Sequence, residues 1–191
     1  MLCEYYCGDI PAAIESGIQR HFNKPPSAYQ WMYSAIYIPS ILTPGIVGHI
    51  LDKVGVRICA LFFVVLLSIG QGLLIIGCHL RIFALAIVGR FIFGIGSINI
   101  SVAESVIISK WFIGKELALA GSIDTSISRM GNWISIVTQR KICSLKDNIM
   151  PGLYISILPI GICMIACVTL CVLDKHYDKL DVVHGYRQPT N

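Results

Sequence analysis

Four stretches of the sequence, 29–51, 58–78, 83–108 and 152–173, are apolar over lengths that few soluble helices reach. About 20 residues of helix cross the roughly 30 Å hydrocarbon core of a bilayer. Four such runs in 191 residues restrict the chain to a polytopic membrane bundle. Composition agrees: 55% of residues are apolar and 14% charged, against roughly a quarter charged in a soluble domain. Helices rather than strands are expected, because an all-helical span satisfies every backbone group internally. The fold class is therefore all-α. The net charge of +4 is small and scattered, which excludes a nucleic-acid surface.

A fifth segment, 117–137, has the length of a span but carries Asp124, Arg129 and several Ser and Thr. Such a helix is expected to face protein or water rather than lipid. Residues 1–17 are too short to span and include Glu4, Asp9, Pro11 and Glu15. They lack the basic and apolar regions of a signal peptide and read as the second half of a truncated first transmembrane helix. Residues 18–173 then hold helices two to six, with polar connections at 19–26, 48–57, 79–82, 110–116 and 138–151. Residues 174–191 form a polar tail or the start of a central loop. With the 48–57 connection on the cytosolic side, seven Lys and Arg lie on that side and six on the other. Charge placement therefore sets no orientation.

Two arginines remain, Arg90 and Arg129, and both fall inside spans. An arginine at bilayer depth costs about 2.5–3.5 kcal/mol even on the lenient insertion scale, so each needs a partner or a wet cavity. Arg90, Gly94, Ser97, Ser101 and Glu104 recur at steps of three and four on one face of their helix. A small, polar face of this kind packs against other helices or lines a pathway. On 117–137, Gly121, Asp124, Ser128, Gly131 and Ser135 form one stripe, and Ser122, Thr125, Arg129 and Asn132 the next. Arg129 lies about 18 Å into the helix at 1.5 Å per residue, the depth of transporter sites. Its planar fork suits a carboxylate; a structural ion pair with Asp124 or another buried acid is the alternative. Asp9, Arg90, Glu104 and Asp124 are the candidate buried charge network. Tyr33 and Tyr37, four apart on one face, line a cavity or sit at the interface. Cys163, Cys167 and Cys171 share a face with no His or carboxylate, so they read as small apolar residues. GxSxG, HExxH and P-loop patterns are absent from the sequence. No catalytic residue, metal site or cofactor is expected, and the chain is not expected to be an enzyme.

The connection Gly48-x-x-x-Asp52-Lys53-x-Gly55-x-Arg57 resembles the loop between the second and third helices of the major facilitator superfamily. Gly48 is expected to allow close helix approach, Gly55 a tight turn, and Asp52 a pairing at a neighbouring helix end that gates the bundle. Further matches are Gly89-Arg90-Phe91-Ile92-Phe93-Gly94-Ile95-Gly96, Trp111-Phe112-x-Gly114-Lys115-Glu116-Leu117, Arg129-x-Gly131 and Asp9-x-Pro11-Ala12-Ala13. Together these resemble the lysosomal dipeptide transporters of the major facilitator superfamily domain-containing protein one family, over the N-terminal six-helix half of a twelve-helix fold. The resemblance implies a cytosolic 48–57 loop and passive, uniporter-type export of dipeptides bearing Lys, Arg or His from the lysosome. It also implies a lysosomal membrane location and, as partners, a second copy and a heavily glycosylated lysosomal membrane protein. Arg129 corresponds to the family's fifth-helix arginine, expected on the dipeptide carboxylate; Tyr33, Tyr37, Ser97 and Asn99 complete the candidate binding set. The chain departs from the pattern at Ile98, where the family has the glutamate suited to a dipeptide ammonium, and at Glu104, where it has an amide. The rival reading is a non-transporting fragment or truncated isoform, acting at most as an interaction or regulatory half-bundle.

Overall fold

The computed structural model describes residues 1–146 and 149–183, all helices and short turns with no strand among them. The chain opens with three short helices, α1 (Leu2–Gly8), α2 (Ile10–Ala13) and α3 (Glu15–Phe22). The long helices α4 (Pro26–Val54), α5 (Val56–His79), α6 (Phe83–Trp111) and α7 (Lys115–Lys146) follow. The short α8 (Met150–Ile155) then leads into α9 (Ile157–Val183). Four segments are long and apolar enough to cross a membrane: Ser27–Val54, Val56–His79, Phe83–Trp111 and Met150–Lys175. The protein is thus a multi-pass membrane helix bundle.

Four expected boundaries differ: the connection expected at 48–57 is helical up to Val54 and again from Val56, and that expected at 138–151 is helical up to Lys146 and again from Met150. The segment taken as polar loop from residue 19 is helical to Phe22, because Arg20 and Gln19 carbonyls cap the end at Asn23 and Lys24. Asp174, taken as the start of a tail, lies inside α9 and is buried. Of the proposed tail, 184–191 lie outside the described residues.

Connections are as tight as helical geometry allows. Gly55 alone separates α4 from α5, at φ +93°, a backbone region that a side chain disfavours and glycine does not. α5 and α6 are antiparallel neighbours packed backbone to backbone. A Cβ added at Gly89 would lie 2.7 Å from the Leu74 nitrogen, and one at Gly96 2.7 Å from the Leu67 nitrogen. In lipid no hydrophobic force joins two apolar helices, so close contact of small residues does. Replacing Gly89 by alanine is expected to push α5 and α6 apart and cost about 1–3 kcal/mol. A fall in the unfolding temperature of the detergent-solubilised protein measures it; an unchanged value would mean that the seam yields freely.

α7 explains its own mixed composition. Leu119, Ile123, Ile127, Met130, Ile134 and Val137, at steps of three and four, are exposed apolar residues on one face. Ser128 and Ser135 on another face are buried, and a Cβ at Gly131 would meet the Leu2 carbonyl oxygen. Ser135 Oγ donates to the Tyr6 carbonyl at 2.7 Å, and Gln139 Nε2 to the Gly152 carbonyl at 3.0 Å. Only one of its faces is suited to lipid, so a uniformly apolar run would have been wrong for this position.

Candidate functional site

The first-helix segment α1 lies among α6, α7 and α9, and it is broken for a chemical reason. Pro11 has no N–H, so the Cys7 carbonyl four residues earlier loses its helical partner. Within hydrocarbon an unpaired carbonyl is costly. Arg90 supplies the missing donors: Nη1 donates to the Cys7 carbonyl at 3.3 Å and Nη2 to the Gly8 carbonyl at 2.8 Å. Its guanidinium also lies 5.4 Å from the Phe93 ring centroid, and the side chain is wholly buried. Arg90 is thereby a strut that holds a broken helix.

The rest of the α6 stripe faces the same segment. Ser97 Oγ donates to Glu4 at 2.6 Å and Ser101 Oγ to the same carboxylate at 3.2 Å. Glu104 accepts from the Met1 amino group at 3.2 Å, with Asp124 alongside. Gly94 instead abuts the backbone of Ile36 on α4. The four expected network charges therefore divide. Asp9 lies within electrostatic reach of Arg90 and Arg129, while Glu104 and Asp124 form a separate acidic pair by the amino terminus. Cys163, Cys167 and Cys171 line a separate, largely apolar cavity that also touches Glu104.

Between α1, α4, α6 and α7 lies a cavity of about 520 Å³, within the usual range for a small-molecule site. Glu4 enters it from α1 and Asp9 from the α1–α2 junction, Tyr33 and Tyr37 from α4, Ser97 and Ile98 from α6, and Arg129 and Asn132 from α7. The Tyr33 and Tyr37 rings are 5.6 Å apart, and Tyr37 is 53% exposed, so the cavity has an open side. Arg129 is exposed near the middle of α7 and, among the described residues, makes no ion pair. The alternative of a structural pair with Asp124 is not realised. Asn99 does not join the cavity. It is fully buried elsewhere on α6, and its Nδ2 donates to the Ile95 carbonyl at 2.7 Å. Glu4 and Tyr5 are lining residues that sequence reasoning did not single out. The rule that an acid at membrane depth marks a site points to Glu4 once 1–17 is treated as intramembrane.

At one end of the bundle the 48–57 loop departs from expectation. Nothing approaches a Cβ placed on Gly48, and Asp52 is exposed with no polar partner among the described residues. The inward face here carries Val47 and Leu51; Gly48 and Asp52, one residue further on, are turned about 100° away. The contact that ties the bundle end is Arg57, which binds the Asp174 side chain through Nε and the Asp174 carbonyl through Nη2 at 3.0 Å. Asp174→Asn is expected to lower stability by about 1 kcal/mol, the upper range for a partly exposed pair, and to raise labelling of a cysteine placed at position 174's neighbour Lys175. Asp52→Asn should leave both unchanged in this bundle.

The sequence also matches the model of the Major Facilitator Superfamily over residues 2–184. The chain belongs to the major facilitator superfamily. Similar curated proteins bear the name lysosomal dipeptide transporter MFSD1. That from Danio rerio is 32% identical over 133 residues, covering 69% of this chain and 29% of the relative. The Mus musculus protein is 27% identical over 197 residues, covering 92% and 40%. The Homo sapiens protein is 30% identical over 133 residues, covering 69% and 29%. The chain thus spans well under half the length of these relatives.

Proposed function

We propose that this chain forms one half of a facilitator-type transporter that exports dipeptides, preferentially cationic ones, from the lysosome lumen to the cytosol by alternating access. The observation that carries the reading is Arg129: a guanidinium near the middle of a membrane helix, facing a cavity and unpaired among the described residues. An intramembrane arginine persists where it has work for its charge, and its fork matches a peptide carboxylate. Asp9 and the faces of Tyr33 and Tyr37 give a cationic side chain an acid and π-surfaces to rest on. Facilitators rock two bundles about a midplane site. The opposite wall comes from a second bundle, with Asp52 presented to it on the cytosolic side. No enzymatic step belongs to this reading. A second copy and a glycosylated lysosomal membrane protein are the proposed partners.

The test is efflux from vesicles carrying the full protein and preloaded with labelled dipeptides. Faster loss of Lys-, Arg- or His-containing dipeptides than of free amino acids, without ATP, is expected. Equal leakage from protein-free and protein-bearing vesicles would end the dipeptide reading and favour the non-transporting alternative.

A further inference from the structure

The cavity contains a second charged group opposite in sign to Arg129. Glu4 is only 5% exposed, yet it lines the cavity. Its carboxylate accepts hydroxyl hydrogen bonds from Ser97 and Ser101 of α6 and, among the described residues, has no Lys, Arg or terminal ammonium within ion-pair distance. Two hydroxyls fix the direction of a carboxylate, but they are neutral, and the Met1 ammonium acts on Glu4 only from beyond ion-pair distance. The Met1 ammonium nearby is engaged by Glu104 instead. The other charged groups facing this space are Asp9, on the same segment, and Arg129, from α7.

The position of Glu4 also bears on Ile98. The resemblance reserves an acid at Ile98, and this chain has none there. Ile98 nevertheless lines the same cavity, next to Ser97, whose hydroxyl holds Glu4. A negative charge lost from α6 is thus present on α1, held against the adjoining turn of α6. The cavity is lined by two carboxylates, Glu4 and Asp9, and one guanidinium, Arg129, so a cationic zwitterion finds a partner for each of its charges.

We propose that Glu4 is the residue that receives the α-ammonium of the transported peptide, with Arg129 taking its carboxylate. The inference rests on the transport reading above. Glu4 sets specificity: it selects substrates with a free amino terminus, and the Ser97 and Ser101 hydroxyls keep its oxygens turned toward the cavity.

The experiment compares uptake of a lysine-containing dipeptide and its N-acetylated form by vesicles bearing the full protein. Four proteins are used: wild type, Glu4→Gln, Glu4→Asp, and Glu4→Gln combined with Ile98→Glu. Glutamine keeps an oxygen to accept both serine hydrogen bonds, so the tie between α1 and α6 survives while the charge is lost. The wild type is expected to favour the free-amine peptide at least tenfold, about 1.4 kcal/mol. In Glu4→Gln the KM for that peptide rises about tenfold and the KM for the acetylated form stays put. Glu4→Asp falls between, and Ile98→Glu restores the preference in the glutamine background. The ratio of the two substrates is read within each variant, so reduced expression does not distort it. Preference for the free amine retained in Glu4→Gln overturns the inference and leaves the transport reading standing. So does an equal loss for both peptides in the Gln and Asp variants, which would make Glu4 a structural tie. No uptake of either peptide by the wild type overturns the transport reading, and the inference with it.

Discussion

Arg129→Ala is expected to abolish dipeptide uptake while leaving expression and the folded state intact. Arg129 is exposed toward the cavity and holds no ion pair among the described residues, so its removal leaves no buried group without a partner. The protein loses only what the guanidinium would do for a ligand. Two charge-assisted hydrogen bonds to a carboxylate are worth about 1.5–3 kcal/mol each, so transport at low substrate should fall by a factor of about 100 or more. Arg129→Lys retains the charge but not the fork and should recover a minor part of the rate. Uptake in vesicles at matched protein density, with a size-exclusion profile as the control for folding, checks both. Unchanged transport would remove Arg129 from the site.

Arg90→Ala is expected to have the opposite signature: loss of the folded protein rather than loss of ligand. Arg90 is fully buried, and its two terminal nitrogens meet the Cys7 carbonyl, which Pro11 leaves open, and the neighbouring Gly8 carbonyl at the α1–α2 break. Truncation takes the Arg90 donors from the buried Cys7 and from Gly8, which borders the cavity. Losing two hydrogen bonds to a charged donor should cost about 3 kcal/mol or more, a large share of the 5–15 kcal/mol typical of a domain. Arg90→Lys, with one point of charge, reaches one carbonyl well and should lose about half as much. Thermal unfolding in detergent and the yield of monodisperse protein measure this. Normal stability in Arg90→Ala would show that water or another donor satisfies the break, and would return Arg90 to the list of ligand-binding candidates.

These two arginines had equal standing in the sequence. Both lie inside expected spans, Arg90 in an apolar one and Arg129 in the more polar 117–137, and the cost of burying a charge marks each as a site. They part in three dimensions because Arg90 reaches from α6 to the Cys7 and Gly8 carbonyls, whereas Arg129 enters the cavity from α7 with no acid within ion-pair distance among the described residues. The small-and-polar stripe on α6 was legible from its spacing, but not what it faced. Arg90, Ser97, Ser101 and Glu104 all contact the segment 1–17, and Gly94 instead packs on α4. Asn99 shows the limit of reading a site by neighbourhood in sequence. It is two residues from Ser97, hence about 200° round the helix, and its amide is spent on the Ile95 carbonyl. Glu4 was passed over because 1–17 is too short to register as a span. Its place among α6, α7 and α9 is set by what packs round it rather than by its own hydropathy.

The loop at 48–57 gave the same lesson at smaller scale. Gly55 and its turn follow from local backbone sterics and were readable. The tie at Arg57 joins residues 117 apart in sequence, and no local rule reaches that far.

By itself the sequence determined that this chain is a helical membrane bundle with charges held at bilayer depth, and its motifs pointed to the major facilitator superfamily. Hydrophobic length and the cost of burying charge are local quantities, set by which residues are adjacent in the chain. Tertiary structure alone decided which charges are struts and which remain open to a ligand. That distinction depends on whether a neighbouring helix brings a carbonyl, a hydroxyl or empty space to the end of each side chain.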